Sequence, residues 1–340
     1  MGHLKNIALN IIKVVLPLAF GLFLIWYVYD LLDAKEKHDL FLSLKQANYW
    51  WIIVSILFGI LSHLSRAYRW KYLLDPLGLK PKFLNSFFSV MIGYTINLLL
   101  PRVGEVSRCG VLSKYEKMPF TKLFGTVIAE RIADATILAS LTFLIIFSQF
   151  DKLGDMLKSW VSYDEEGSTL VIYSAVVVVT GLLIFIGFLY LLKTSSNKYL
   201  LKIKSLLIGF WEGAKSIIYM KSAFKFILHT LFIWIMYVSM FYMCFFSLEA
   251  TSNVPLMGML AAFVMGGISI IFIQGGIGVY PAAVMQILFI YGVSRSSGLA
   301  LGWIIWTSQT VMILVLGILS MLIMPKYNRY LRQQKVDGNE

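Results

Sequence analysis

The sequence predicts an all-α integral membrane protein of two inverted-topology halves, each running helix, helix, re-entrant hairpin, helix. Three observations predict it. Of the 340 residues, 59% are hydrophobic and only 14% charged, whereas a soluble domain is about one quarter charged. Apolar runs of about 20 residues, the length that crosses a bilayer, recur along the whole chain. The charges of the connections then demand two segments that enter and leave by the same face.

Hydrophobic segments fall at about 11–32, 48–65, 83–100, 121–149, 169–192, 226–248, 254–273, 277–292 and 299–324. The opening stretch is basic and then apolar. It is too long for a signal-peptide core and lacks a small-x-small cleavage site, so it reads as a retained first helix. Connections 65–82, 101–122 and 193–225 are strongly basic, as is the tail from Lys326. The connection 150–168 is acidic, with Asp151, Asp155, Asp164, Glu165 and Glu166. The positive-inside rule puts both termini and the basic connections in the cytoplasm. A single crossing at 83–100 would carry one basic flank outside. The segment 83–112 is therefore expected to enter, turn near Pro101-Arg102-Val103-Gly104, and return. In the second half 254–292 must likewise enter and leave by the outer face, around the break IQGGIGVYPA. The halves are then about 11–149 and 169–324. Two full helices at 254–273 and 277–292 would satisfy the same charges. Inverted repeats with broken segments near the midplane build many transporters. The connections leave no room for a second soluble domain, so 1–340 reads as one polytopic membrane domain. Within it, 197–223 alternates apolar residues and lysines at helical spacing, which fits an amphipathic helix on an anionic cytoplasmic membrane surface or an ordinary basic loop.

The net charge of +12 is a topological signature. Nucleic-acid binding would need a basic face on a soluble module, and the chain has none. Cys109 and Cys244 stand in no metal-type spacing and imply neither disulfide framework nor zinc site. No nucleotide loop, nucleophile elbow or metalloprotease motif occurs, so no cofactor and no catalytic residue is expected.

Ionisable groups at membrane depth are expensive and mark a pathway, a site or a pairing. They concentrate in NLLLPRVGEVSR (97–108) and AERIAD (129–134). Glu130 and Asp134 share a helix face, and Arg131 is close enough to Asp134 to pair with it. Arg102, Glu105 and Arg108 lie on the first hairpin, with Asn97 and Gly104 beside them. A guanidinium fork matches phosphate oxygens, and a lipid phosphodiester is the phosphate a membrane cavity meets. A structural salt bridge locking hairpin to helix is the competing reading. In the second hairpin Gln274, Gly275, Gly276 and Gly278 offer a polar side chain and backbone N–H groups for an anion; close packing of small residues competes. Asn97, Gln286 and Gln309 read individually as helix–helix hydrogen bonds, His63 and His229 as packing or interfacial. RAYRW (66–70) reads as a helix end anchored at headgroups by snorkelling arginines.

At these residues the chain resembles a known family. RAYRWKYLL, NLLLPRVGEVSR, AERIAD and QGGIGV occur in the order and spacing of the lysylphosphatidylglycerol synthase transmembrane region, also called flippase-like proteins. Some members of that family fuse the membrane region to an aminoacyl-tRNA-dependent transferase that lysylates phosphatidylglycerol. These 340 residues contain no such transferase, so the resemblance implies the translocase-like part. Many relatives carry an acidic residue after the second glycine-rich break, where this chain has Val279-Tyr280-Pro281. The expected function is to bind and move a phospholipid or polyprenyl-linked phosphate across the inner membrane of a bacterium. A membrane-embedded transferase using Glu130 or Asp134 as base, or a non-transporting scaffold for a lipid-modifying enzyme, are the rivals.

Overall fold

The computed structural model describes residues 19–100, 103–148, 201 and 220–336. The expected crossing at 169–192, nearly all of the amphipathic stretch 197–223, and the turn residues Pro101 and Arg102 lie outside the described residues. The chain forms two compact units, Met1–Leu138 with Met220–Glu340, and Ala139–Tyr219. Of the second unit the structure describes chiefly the end of one helix, where the exposed rings of Phe143 and Phe147 stack at 6.2 Å.

The described residues of the first unit are mostly helical, with no strand among them. Helix α1 is described over Ala19–Asp30. Helix α2 (Ala34–Gln46) is opened by a capping box: Glu36 N–H donates to Asp33 Oδ1 at 2.7 Å and Asp33 N–H donates to Glu36 Oε2 at 3.1 Å. Each such reciprocal bond satisfies an amide that the first turn leaves without a helical partner. Helix α3 (Tyr49–Leu74) starts at Asn48, whose side chain accepts from Trp50 N–H, and stops where Pro76 forces a 3₁₀ turn closed by left-handed Gly78. Then come α4 (Phe83–Leu99), α5 (Gly104–Glu116) and α6 (Phe120–Ser148). After the undescribed stretch stand α7 (Ala223–Phe245), α8 (Leu256–Phe272), α9 (Val279–Ile290) and α10 (Arg295–Val336).

Among the described residues four helices are long and apolar enough to cross a membrane: those covering Tyr49–Leu77, Phe120–Ser148, Ala223–Phe245 and Arg295–Gln334. The helices of the two hairpins are shorter than these four. Helices α4 and α5 have 17 and 13 residues, α8 and α9 have 17 and 12. At 1.5 Å per residue these reach about 18–25 Å, short of the roughly 30 Å hydrocarbon core.

Three boundaries depart from the sequence expectation. The helix expected to end at 65 continues to Leu74, because its buried face carries on through Arg66, Arg69 and Trp70. The connections 33–48 and 101–122 contain α2 and α5, whose polar faces hid them from a search for apolar runs. The last helix continues past Pro325 to Val336, because Asn328 is held inside the protein. Its side-chain amide exchanges hydrogen bonds with Asn85 at 2.9 and 2.8 Å, and Asn85 also donates to Glu116. This clamp ties the open end of the α4–α5 hairpin to α10.

Helices α3 and α7 run antiparallel. Asn48 N–H donates to the Ser247 carbonyl at 2.8 Å, Ser55 Oγ donates to the Met240 carbonyl at 2.7 Å, and Ser65 bonds His229 at 2.8 Å. The small side chains at Ser55, Gly59 and Ser62 allow this approach. Two cores form at opposite ends of α3. Near its start, Ile52 packs with Leu40, Phe245, Val284, Leu288 and Leu301. Near its end, Trp70 and Leu74 pack with Val90, Cys109, Leu112, Leu123 and Val127. Each hairpin thus joins a different core.

Candidate functional site

A buried cluster of arginines and carboxylates occupies the second of these cores. It is assembled from three helices. On α3 the buried positions 52, 55, 59, 62, 66 and 69 recur every three or four residues, so Arg66 and Arg69 project from the same stripe as Ser55, Gly59 and Ser62. On α5, Arg108 lies one turn after the hairpin turn. On α6, Glu130 and Asp134 share a face.

The contacts are short. Glu130 is gripped by Arg108 through two parallel bonds, Nη1 to Oε1 and Nη2 to Oε2, both 3.0 Å. Arg66 Nη1 donates to Glu130 Oε1 at 2.7 Å and to Asp134 Oδ2 at 2.5 Å. Arg69 Nη1 donates to Asp134 Oδ1 at 3.0 Å and to Thr230 Oγ1 at 2.8 Å, and its Nη2 stands 3.4 Å from Glu130. The Arg108 guanidinium lies 3.7 Å from the centre of the Trp70 ring, and Trp70 Nε1 donates to Thr126. Arg66 reaches the Tyr237 hydroxyl at 3.2 Å and lies over the rings of Tyr94 and Tyr237. Arg66, Arg69 and Arg108 are 2%, 0% and 3% exposed, Glu130 is 0% and Asp134 8%.

Three guanidiniums therefore face two carboxylates, one positive charge in excess. Four guanidinium nitrogens in the cluster, the Nε of all three arginines and Arg69 Nη2, are buried without a hydrogen-bond acceptor. Buried donors without acceptors are costly, and an anion would supply both missing acceptors and the balancing charge.

Beside the cluster a narrow cleft of about 10 Å³ is lined by Val90, Gly93, Tyr94, Asn97, Gly104, Glu105, Arg108 and Arg131, room for about one water. Asn97 organises it: its Oδ1 accepts from Gly104 N–H at 2.8 Å and its Nδ2 donates to Glu105 at 3.2 Å. Glu105 and Arg131 form a half-open ion pair at 3.5 Å.

The sequence-derived candidates thus divide. Arg108, Glu130 and Asp134 meet directly; Asn97, Gly104, Glu105 and Arg131 line the adjoining cleft. Arg131, near enough in sequence to pair with Asp134, faces Glu105 instead, and Asp134 is taken by Arg66 and Arg69. Arg102 is outside the described residues. Of Gln274 only the backbone is described, opening a 3₁₀ turn. Gly275, Gly276 and Gly278, all with left-handed φ of 63–73°, stand apart from the cluster: their near neighbours are Leu98, Ile270, Tyr280, Trp306, Gly21 and Ile25. Trp306 Nε1 donates to the Gly275 carbonyl at 2.6 Å, which uses an acceptor that the break exposes. A Cβ on Gly275 would lie 3.8 Å from Leu98 Cδ2, so the closed ends of the two hairpins touch.

Arg66 and Arg69, read from sequence as headgroup anchors, are the cluster's centre. Their position near a helix end concealed them. The face they share with Ser55, Gly59 and Ser62 was the signal that could have found them.

Comparison with known proteins relates the chain to membrane proteins. Over 118 residues the chain is 31% identical to the UPF0104 membrane protein MJ1595 of Methanocaldococcus jannaschii, a match covering 33% of this chain and 35% of that relative. No solved structure matches. The model of the lysylphosphatidylglycerol synthase TM region matches residues 14–317, nearly the whole chain, and the protein belongs to that family of membrane proteins.

Proposed function

We propose that this protein binds a phospholipid or lipid-linked phosphate and moves it across the inner membrane of a bacterium, acting as a translocase and not as an enzyme. The observation that carries the proposal is the cluster's charge: three buried guanidiniums against two carboxylates, with unpaired donors, in a protein with membrane-length helices. A central arginine costs about 2.5–3.5 kcal/mol in a membrane helix, so an uncompensated one calls for a ligand. A phosphodiester carries the balancing charge and the acceptors. In the absence of lipid, Glu130 and Asp134 hold the arginines. When lipid binds, Arg108 exchanges Glu130 for phosphate, with Arg131 and Glu105 at the entrance and Arg102 at the hairpin turn. Asn97 and Gly104 set the hairpin's shape.

The architecture we propose is a single membrane domain of inverted halves, with 83–112 and 254–292 as re-entrant hairpins. Four hairpin helices too short to cross alone, touching closed ends, and two cores at opposite ends of α3 support it. Both termini and the segment 197–223 are then cytoplasmic. Gln274, Gly275, Gly276 and Gly278 form the outer counterpart of the first hairpin's turn.

A second reading is favoured by the burial of Arg66, Arg69 and Glu130: the cluster is an ion-pair lock that only fastens α3, α5 and α6. Reconstitution into phosphatidylglycerol vesicles with a fluorescent phosphatidylglycerol distinguishes the two. If the lipid phosphate binds, Arg108→Lys, which keeps the charge but loses the fork, slows leaflet exchange while Lys326→Ala does not. A folded Arg108→Lys protein with undiminished exchange leaves the lock reading.

A further inference from the structure

At the other end of α3 the structure holds an apolar cavity of about 290 Å³. Helices α1 and α2 form one wall, through Val28, Leu40, Phe41 and Leu44; α10 forms another, through Leu299 and Trp303; its floor is Gly278. Almost no polar atom lines it. A cavity of this size and lining holds hydrocarbon better than water, since each water needs two or more polar partners. Gly278 makes the floor possible. Its φ is 73°, and a Cβ there would lie 2.5 Å from the Gly21 carbonyl oxygen and 3.0 Å from Ile25. The rim is charged. Lys37 on α2 places its ammonium 5.0 Å from the centre of the Tyr29 ring, and Tyr29 lines the cavity.

We propose that this cavity is a seat for one acyl chain of an anionic membrane phospholipid, with its phosphate toward Lys37. The occupant follows from three facts: the lining is almost wholly apolar, a lysine stands over the ring of the lining residue Tyr29, and the cavity opens between helices of a membrane protein. The seat is separate from the arginine cluster and stands whether or not that cluster binds lipid.

The test uses the full chain in vesicles of phosphatidylglycerol and phosphatidylethanolamine, with a trace of phosphatidylglycerol carrying a diazirine on one acyl chain. After illumination, adducts are mapped by mass spectrometry. Adducts on Phe41, Leu44, Leu299 and Trp303 are expected to exceed those on exposed Phe143 and Phe147 by about fourfold or more, the preference that one extra buried methylene confers. Leu44→Trp, which fills the cavity, removes the excess and leaves adducts at Phe143 and Phe147 unchanged. Lys37→Glu reduces it. Arg108→Ala leaves it intact, so failure of the phosphate site is distinguishable from failure of this one. The wild-type ratio decides alone should a variant not fold: equal labelling at cavity and exposed positions overturns the proposal, as does an excess that survives Leu44→Trp in folded protein.

Discussion

Arg108 is held on two sides, by the face of Trp70 and by both oxygens of Glu130. Removing Glu130 alone would leave Arg66, Arg69 and Arg108 facing one carboxylate. Breaking a buried pair by removing one partner costs about 3–5 kcal/mol, because the other charge stays buried. Glu130→Gln is therefore expected to lower the thermal stability of the detergent-solubilised protein sharply. The double variant Arg108→Met, Glu130→Met should lose less than the sum of its singles, with a coupling of about 0.5–3 kcal/mol. Strict additivity would mean that the bidentate contact is not formed. At this scale the sequence was half legible. Carboxylates spaced four apart in an apolar run announce a buried function or lock, and Arg108 follows from the hairpin turn. Arg66 and Arg69 were misjudged because charge near a helix end is compatible with both snorkelling and burial; only the helical face separates them. Thr230 and Tyr237 carry no charge, so no membrane-depth argument draws attention to them.

The α4–α5 hairpin depends on one close approach. A Cβ on Gly104 would overlap the carbonyl oxygen of Gly93 and crowd Asn97, whereas a Cβ on Gly110 of the same helix meets nothing within 4 Å. Gly104→Ala should thus destabilise by about 1–3 kcal/mol or more through overpacking against backbone. Gly110→Ala should be neutral or stabilise by up to about 1 kcal/mol, the helix-propensity gain of alanine over glycine. Thermal melts of the two variants side by side check this, and equal melting temperatures would contradict the packing. On α10, Gly317→Ala would overlap the Thr95 side chain and should loosen the contact between α4 and α10 in the same assay. The Pro and Gly of the first turn made its position legible. The returning limb was expected to end near 112, and its extent to Glu116 was not legible, since GEVSRCGVLSKYE buries only Gly104, Arg108, Cys109 and Leu112 and has no apolar run.

For the whole molecule, charge balance gives the expectation that 83–112 and 254–292 double back, and the structure adds helices in both segments that are shorter than a bilayer crossing. The length of α10 was hidden because Asn328 and Pro325 look like the end of a membrane helix. Membrane-impermeant labelling of single cysteines tests the orientation: positions near Lys114 and Lys204 should be protected in intact cells and a position near Glu165 labelled. Labelling near Lys114 from outside would rule out the hairpin. The central claim is that the buried arginine cluster takes a lipid phosphate, and native mass spectrometry of the purified protein titrated with phosphatidylglycerol tests it most directly. Saturable binding of phosphatidylglycerol is expected, and Arg108→Lys weakens it by about tenfold or more, the loss expected when one charge-assisted bidentate contact of about 1.5–3 kcal/mol goes. Undiminished phosphatidylglycerol binding by an Arg108→Lys protein shown to be folded by its thermal melt would contradict the claim.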